Sequence, residues 1–112
     1  MCLFCKIAGK QIPAKIAFED EDLLAFHDIN AGAPTHVLVI PKKHLVSLDE
    51  ASPEDQALLG KLLLACQRVA REAGIAQSGF RVVVNTGANA GQSVHHLHLH
   101  VLGGRAMAWP PG

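Results

Sequence analysis

Hydrophobic and polar positions fall into blocks along this chain, and the period of the blocks changes from strand-like to helical and back. Ile16-Ala17-Phe18-Glu19 and Leu23-Leu24-Ala25-Phe26-His27-Asp28 flank the acidic turn Asp20-Glu21-Asp22, which predicts two strands joined by a hairpin. Asn30-Ala31-Gly32-Ala33-Pro34 has the residues of a loop, and His36-Val37-Leu38-Val39-Ile40 follows as an unbroken apolar run that stops at Pro41. Such continuity predicts a central strand. Ser52 as cap, Pro53 at the first position and Glu54 and Asp55 at the positive end of the dipole then open a helix. Its apolar face is predicted from Leu58, Leu59, Leu62, Leu63, Cys66, Val69, Ala70 and Ala73, with Gly74 as the stop. Phe80 to Asn85 reads as the next strand, Thr86 to Ser93 as a loop, and the histidine-rich run after it as the last strand. The tail from Gly103 to Gly112 is irregular. One α+β domain over residues 1–112 is expected: a five-stranded antiparallel sheet with one long helix packed on a face.

A length of 112 residues, 49% of them hydrophobic, suits one core and is too short for two. Ten basic and ten acidic residues cancel, so the basic footprint of a nucleic-acid-binding surface is missing and an anionic ligand must be held locally. The start, Met1-Cys2-Leu3-Phe4-Cys5-Lys6, lacks the pattern of a signal peptide, and no apolar run approaches membrane-spanning length. A cytoplasmic location without membrane partners is expected. Three cysteines, an odd number, argue for reduced thiols or metal ligands over a disulfide framework. Cys66 falls on the apolar helix face and reads as inert core.

The chemistry concentrates in His95-His96-Leu97-His98-Leu99-His100-Val101-Leu102. In an extended strand His96, His98 and His100 share one face, opposite Leu97, Leu99 and Val101. A core gains nothing from such a row, because each buried imidazole needs its own partner. A site does gain, since imidazole serves proton transfer, nucleophilic attack and metal ligation near neutral pH. By the same parity His95 points away from the row. The preceding loop, Asn85 to Val94, is rich in glycine and small polar residues that let backbone N–H groups approach a phosphate, with Asn85 and Ser93 adding side-chain donors. Cys2 and Cys5 have the spacing of half a zinc site.

His96-Leu97-His98-Leu99-His100-Val101-Leu102 matches the alternating His–hydrophobic signature of the histidine triad (HIT) superfamily. Phe26-His27-Asp28-Ile29, Ala33-Pro34-Thr35-His36, Ile40-Pro41-Lys42-Lys43-His44, Gly91-Gln92-Ser93-Val94 and the ending through Trp109-Pro110-Pro111-Gly112 resemble its Hint branch. The resemblance covers essentially the whole chain. It implies a homodimeric purine nucleoside phosphoramidase that hydrolyses the P–N bond of AMP–amine or AMP–lysine conjugates, or their GMP counterparts, through a nucleotidyl-histidine intermediate. By this analogy His98 is the nucleophile, with His96, His100, Ser93 and His36 around the reacting phosphate. Asp28 would bind the ribose hydroxyls and Phe26, His27 and Ile29 would line the base pocket. Asn85, Gly91, Gln92 and Ser93 would meet the nucleotide phosphate. No cofactor is implied for catalysis. Some relatives complete the cysteine pair with histidines at the positions of His44 and His96, which implies a structural Zn2+ held by Cys2, Cys5, His44 and His96. Trp109 would reach the partner subunit near its active site. Two other readings stay open: a mononuclear zinc hydrolase with His96, His98 and His100 as ligands, and a nucleotide-binding regulatory protein with vestigial hydrolase activity.

Overall fold

The structure, a computed structural model, describes residues 2–112. Strands β1 (Ile16–Glu19), β2 (Leu23–His27), β3 (Thr35–Pro41), β4 (Phe80–Val83) and β5 (Leu99–Gly103) form one antiparallel sheet in the order β1-β2-β3-β5-β4. Helix α2 (Gln56–Glu72) lies between β3 and β4 in the chain, and a short helix α1 (Leu3–Ala8) precedes the sheet. The α+β fold and the five-stranded sheet are thus as the periodicity predicts.

Alternation sorts the side chains of the sheet into two cores. Leu23, Ala25, Val37, Val39, Leu99 and Val101 face α2 and pack on Leu62, Ala65, Cys66, Val69 and Ala70. Leu24, Phe26, Leu38 and Ile40 face the other way and are covered by Phe4 and Ile7 of α1. The register pairs Leu38 with His100 and Val37 with Val101, so His100 sits on the α1 side of the sheet.

The helix starts and stops with recognisable chemistry. Residues Pro53–Asp55 make a turn of 3-10 helix, and the buried Asp55 carboxylate accepts the backbone N–H of Ser52 at 3.0 Å and the Lys43 ammonium at 2.7 Å. At the other end Gly74 has φ +77°, while its N–H donates to the Arg71 carbonyl and that of Ile75 to the Ala70 carbonyl. This is the pair of bonds that closes a helix through a left-handed residue.

Several boundaries differ from expectation. Leu63 and Ala73 are exposed, because the stripe that meets the sheet runs through Leu62, Ala65, Cys66, Val69 and Ala70 and is narrower than the apolar pattern. The last strand begins only at Leu99, so His96 and His98 lie in a bend before it. The N-terminal segment, read above only for its cysteines, is a helix with Cys2 as its N-cap: the Cys2 sulfur accepts the N–H of Cys5 at 3.1 Å.

Candidate active site

The bend before β5 divides the histidine row. The Leu97 N–H donates to the Leu45 carbonyl at 2.6 Å, and Nε2 of His96 donates to the Pro41 carbonyl at 2.8 Å, which ties the bend to the segment after β3. His96 is fully buried, and its other nitrogen, Nδ1, faces Cys2 Sγ at 3.3 Å, Cys5 Sγ at 3.5 Å and His44 Nδ1 at 3.0 Å. Both ring nitrogens of His96 are therefore engaged away from the other two histidines. This geometry leaves His96 no free nitrogen for a phosphate contact or for a metal centre shared with His98 and His100. Strand parity still sorts the faces through the bend: Leu97, Leu99 and Val101 share the core under α2, while Phe4 of α1 meets the His96 ring at a centroid distance of 6.0 Å as well as that of His98.

His98 and His100 remain together, with ring centroids 5.0 Å apart. They border a cleft of about 370 Å³. Phe4 and Ile7 of α1 form one wall, Phe26, His27, Asp28 and Ile29 from the end of β2 another, and Ser93 and Val94 the approach to the histidines. Ile29 is 96% exposed, an apolar side chain standing free at the rim. Phe4 meets the His98 ring edge-on at a centroid distance of 5.1 Å. That contact was not read from the sequence, although the three-residue spacing of Phe4 and Ile7 is its signal.

His98 is buried, and its Nδ1 donates to the carbonyl of His96 at 2.7 Å. A carbonyl accepts and never donates, so this bond puts a hydrogen on Nδ1, and in the neutral ring the lone pair is on Nε2. His100 Nδ1 lies 2.9 Å from Nε2 of His36, and Nδ1 of His36 accepts the backbone N–H of Gly32 at 2.9 Å. Asp28 lies beside this pair, one carboxylate oxygen capping the Asn30 N–H at 2.8 Å and the other 3.5 Å from His36 Nε2. Burial, reinforced by the His98 and His36 imidazoles, pushes His100 down to about 4, with Asp28 opposing. Burial also lowers His36, again against the pull of Asp28.

The remaining candidates lie elsewhere. Asn85, Gly91 and Gln92 do not line the cleft. Gln92 braces the loop instead: its amide donates to the carbonyls of Val46 at 2.6 Å and Val94 at 3.1 Å and accepts the Gly87 N–H at 2.9 Å. His95 is exposed, and Trp109 stands 80% exposed in the tail, where Arg81 holds the neighbouring Ala108 carbonyl at 2.9 Å. Burial raises the Cys66 thiol to about 11, which leaves it protonated within the core. Among the described residues no helix is long and apolar enough to cross a membrane.

A sheet covered by one long helix, with a buried imidazole lining a mostly apolar cleft, defines a class of small histidine-based domains. The HIT domain family model matches residues 9–107, and the chain belongs to the HIT family. It is 56% identical over 110 residues to an uncharacterized HIT-like protein of Synechocystis, covering 98% of this chain and 96% of that one. It is 49% identical over 102 residues to the protein HitA of Neisseria gonorrhoeae, covering 91% and 94%. Among solved structures, a HIT family hydrolase from Legionella pneumophila superimposes with a TM-score of 0.98 at 48% identity over the whole of both chains. A histidine triad nucleotide-binding protein from Candida albicans gives 0.83 at 28% identity, covering 98% of this chain and 83% of that one. By this kinship the chain is a HIT-family hydrolase-like protein.

The lowered histidines carry a pH signature. Their folded-state values lie below the ordinary 6.5, so between there and about 4 the unfolded chain binds more protons than the folded one, and stability falls as pH falls. Chemical denaturation across this window will show the loss, and His100→Gln will flatten it relative to the wild type.

Proposed function

We propose that the protein is a purine nucleoside phosphoramidase, hydrolysing the P–N bond of AMP–amine or AMP–lysine conjugates through a nucleotidyl intermediate on His98. The observation that carries this reading is the 2.7 Å bond from His98 Nδ1 to the His96 carbonyl, which frees Nε2 for attack. In the first step the Nε2 lone pair forms a bond to phosphorus while the P–N bond breaks. Its electrons go to the amine, which leaves after taking up a proton. The imidazole then bears positive charge, and its Nδ1–H still donates to the carbonyl, where a neutral acceptor stabilises a charged donor more strongly than a neutral one. In the second step water attacks phosphorus, the P–Nε2 bond breaks, and neutral imidazole returns. Two displacements of moderate difficulty replace one difficult one.

The cleft suits the rest of a nucleotide. Phe26, Ile29 and the α1 wall offer apolar surface for a purine, and the Asp28 carboxylate is an acceptor for two vicinal hydroxyls. Ser93, exposed beside the histidines, is a hydroxyl within the same cleft that assists the departing amine. The name of the Candida albicans protein, which speaks of nucleotide binding, agrees with this assignment.

The cluster of Cys2, Cys5, His44 and His96 fits a structural Zn2+. One ligand atom from each lies within 4.8 Å of all the others, and the Pro41 bond on Nε2 of His96 leaves its Nδ1 lone pair turned toward the two sulfurs. Bound there, the ion supplies a cross-link between α1 and the histidine bend and leaves no position open for water. A homodimer is the assembly we propose. Leu63 and Leu64 stand 58% and 64% exposed on α2, β4 is an edge strand with Phe80 37% exposed, and Trp109 projects from the tail.

An adenosine phosphoramidate tests the reaction: wild type releases AMP, and His98→Ala lowers kcat/KM by at least about a thousandfold, the scale of losing a covalent nucleophile. Equal rates for the two proteins would refute the assignment. Native mass spectrometry of protein purified without chelators tests the metal, with one zinc per chain expected in the wild type and none in Cys5→Ser.

A further inference from the structure

Gln92 lies outside the cleft, yet its side-chain amide meets three separate stretches of backbone. Its oxygen accepts the Gly87 N–H at 2.9 Å, and its amino group donates to the carbonyls of Val94 at 3.1 Å and Val46 at 2.6 Å. Both hydrogens of the amide and its oxygen are thus in use. The partners also decide which way the amide faces, because a carbonyl only accepts and a backbone N–H only donates. Turned over, the amide would set its oxygen against both carbonyls and its amino group against the Gly87 N–H.

These bonds close around one residue. The Gln92 N–H donates to the Gly87 carbonyl at 3.1 Å, so Gly87 and Gln92 are joined twice across a loop whose glycines, Gly87 and Gly91, have φ of +81° and +79°. Glycine takes such angles without strain and, unpinned, takes many others, so the loop has little stiffness of its own. Ser93 comes next, and the carbonyl of Val94 after it is held by the same amide. Ser93 is therefore pinned on both sides while it stands exposed in the cleft with His98 and His100. The third bond gives the loop its bearing on the histidines. The Val46 carbonyl accepts from Gln92, and the adjacent Leu45 carbonyl accepts the Leu97 N–H at 2.6 Å. The Val46 N–H in turn donates to the Glu50 carboxylate at 3.1 Å. One two-residue segment after β3 thus anchors both the serine loop and the bend that carries His98.

We propose that Gln92 is a positioning residue for amine departure: through its three hydrogen bonds it holds the Ser93 hydroxyl on the leaving-group side of the cleft. This role rests on the phosphoramidase reading above. In the step it serves, the bond from His98 Nε2 to phosphorus forms and the P–N bond breaks. The electron pair of that bond passes to the nitrogen, which takes a proton from solvent while the Ser93 hydroxyl hydrogen-bonds to it. The need for such help grows with the basicity of the amine, because a poorer leaving group gathers more negative charge in the transition state.

Single-turnover release of amine from two adenosine phosphoramidates, one of an alkylamine and one of para-nitroaniline, tests the role. Gln92→Ala will slow the alkylamine conjugate about ten- to hundredfold and the nitroaniline conjugate by less than about threefold, with AMP affinity also within about threefold of wild type. Gln92→Glu has the same size and still accepts the Gly87 N–H, but it lacks both donors and will show the same selective loss. In a Ser93→Ala background Gln92→Ala will add less than about threefold, since its effect passes through that hydroxyl. Equal loss on the two conjugates, as a merely loosened loop would give, or losses that multiply in the double variant, would overturn the role. A wild type that cleaves neither conjugate would overturn the phosphoramidase reading and this role with it, whereas unselective loss from an active wild type overturns the role alone.

Discussion

The backbone carbonyl of His96 is buried beside β5 and accepts its hydrogen bond from a side chain two residues onward, at 2.7 Å. Leaving such a carbonyl unpaired would cost about 1–3 kcal/mol, so the His98 ring satisfies a structural need at the same time as it acquires a defined tautomer. The bend that makes this contact turns the His96 ring to the cysteine cluster and leaves His98 and His100 at the cleft. One local geometry thereby gives neighbouring histidines different surroundings. The Pro41 and Leu45 carbonyls hold the bend from outside, so the site is braced by the end of the central strand.

Three histidines around the site have a ring nitrogen fixed by a main-chain group. The Pro41 carbonyl does this for His96, the His96 carbonyl for His98, and the Gly32 amide for His36. Main-chain groups suit this purpose because they do not titrate. Burial complements them by holding His36 and His100 below the ordinary histidine range, so the pattern of donors and acceptors persists near neutral pH. A preorganised site of this kind requires little rearrangement when charge develops on phosphorus.

Much of the fold was legible because its segments declare their period. The alternation in β2 and β3 sorts two cores, and Gly74 marks the end of α2 by a conformation that glycine adopts without strain. Leu63 was misplaced because the helical stripe in the sequence is wider than the line of contact with the sheet. Helix α1 escaped because six residues hold one buried apolar pair, Phe4 and Ile7, and because its cap is a cysteine rather than a hydroxyl or carboxylate residue. At the site, parity brought the imidazoles to one side and Leu97, Leu99 and Val101 to the other correctly, but it could not show that the Pro41 carbonyl and the cysteine cluster take up both ring nitrogens of His96. The Gly32 amide was invisible for a deeper reason: a backbone group looks the same in every residue, and only the fold says which one meets an imidazole.

Attack by His98 and then by water inverts the configuration at phosphorus twice, whereas direct attack by water inverts it once. The stereochemical course on a phosphoramidate made chiral at phosphorus by sulfur and oxygen-isotope substitution therefore tests the covalent route without trapping anything. Net retention is the predicted result. Net inversion would contradict it, and His98 would then orient the reaction rather than carry the nucleotide.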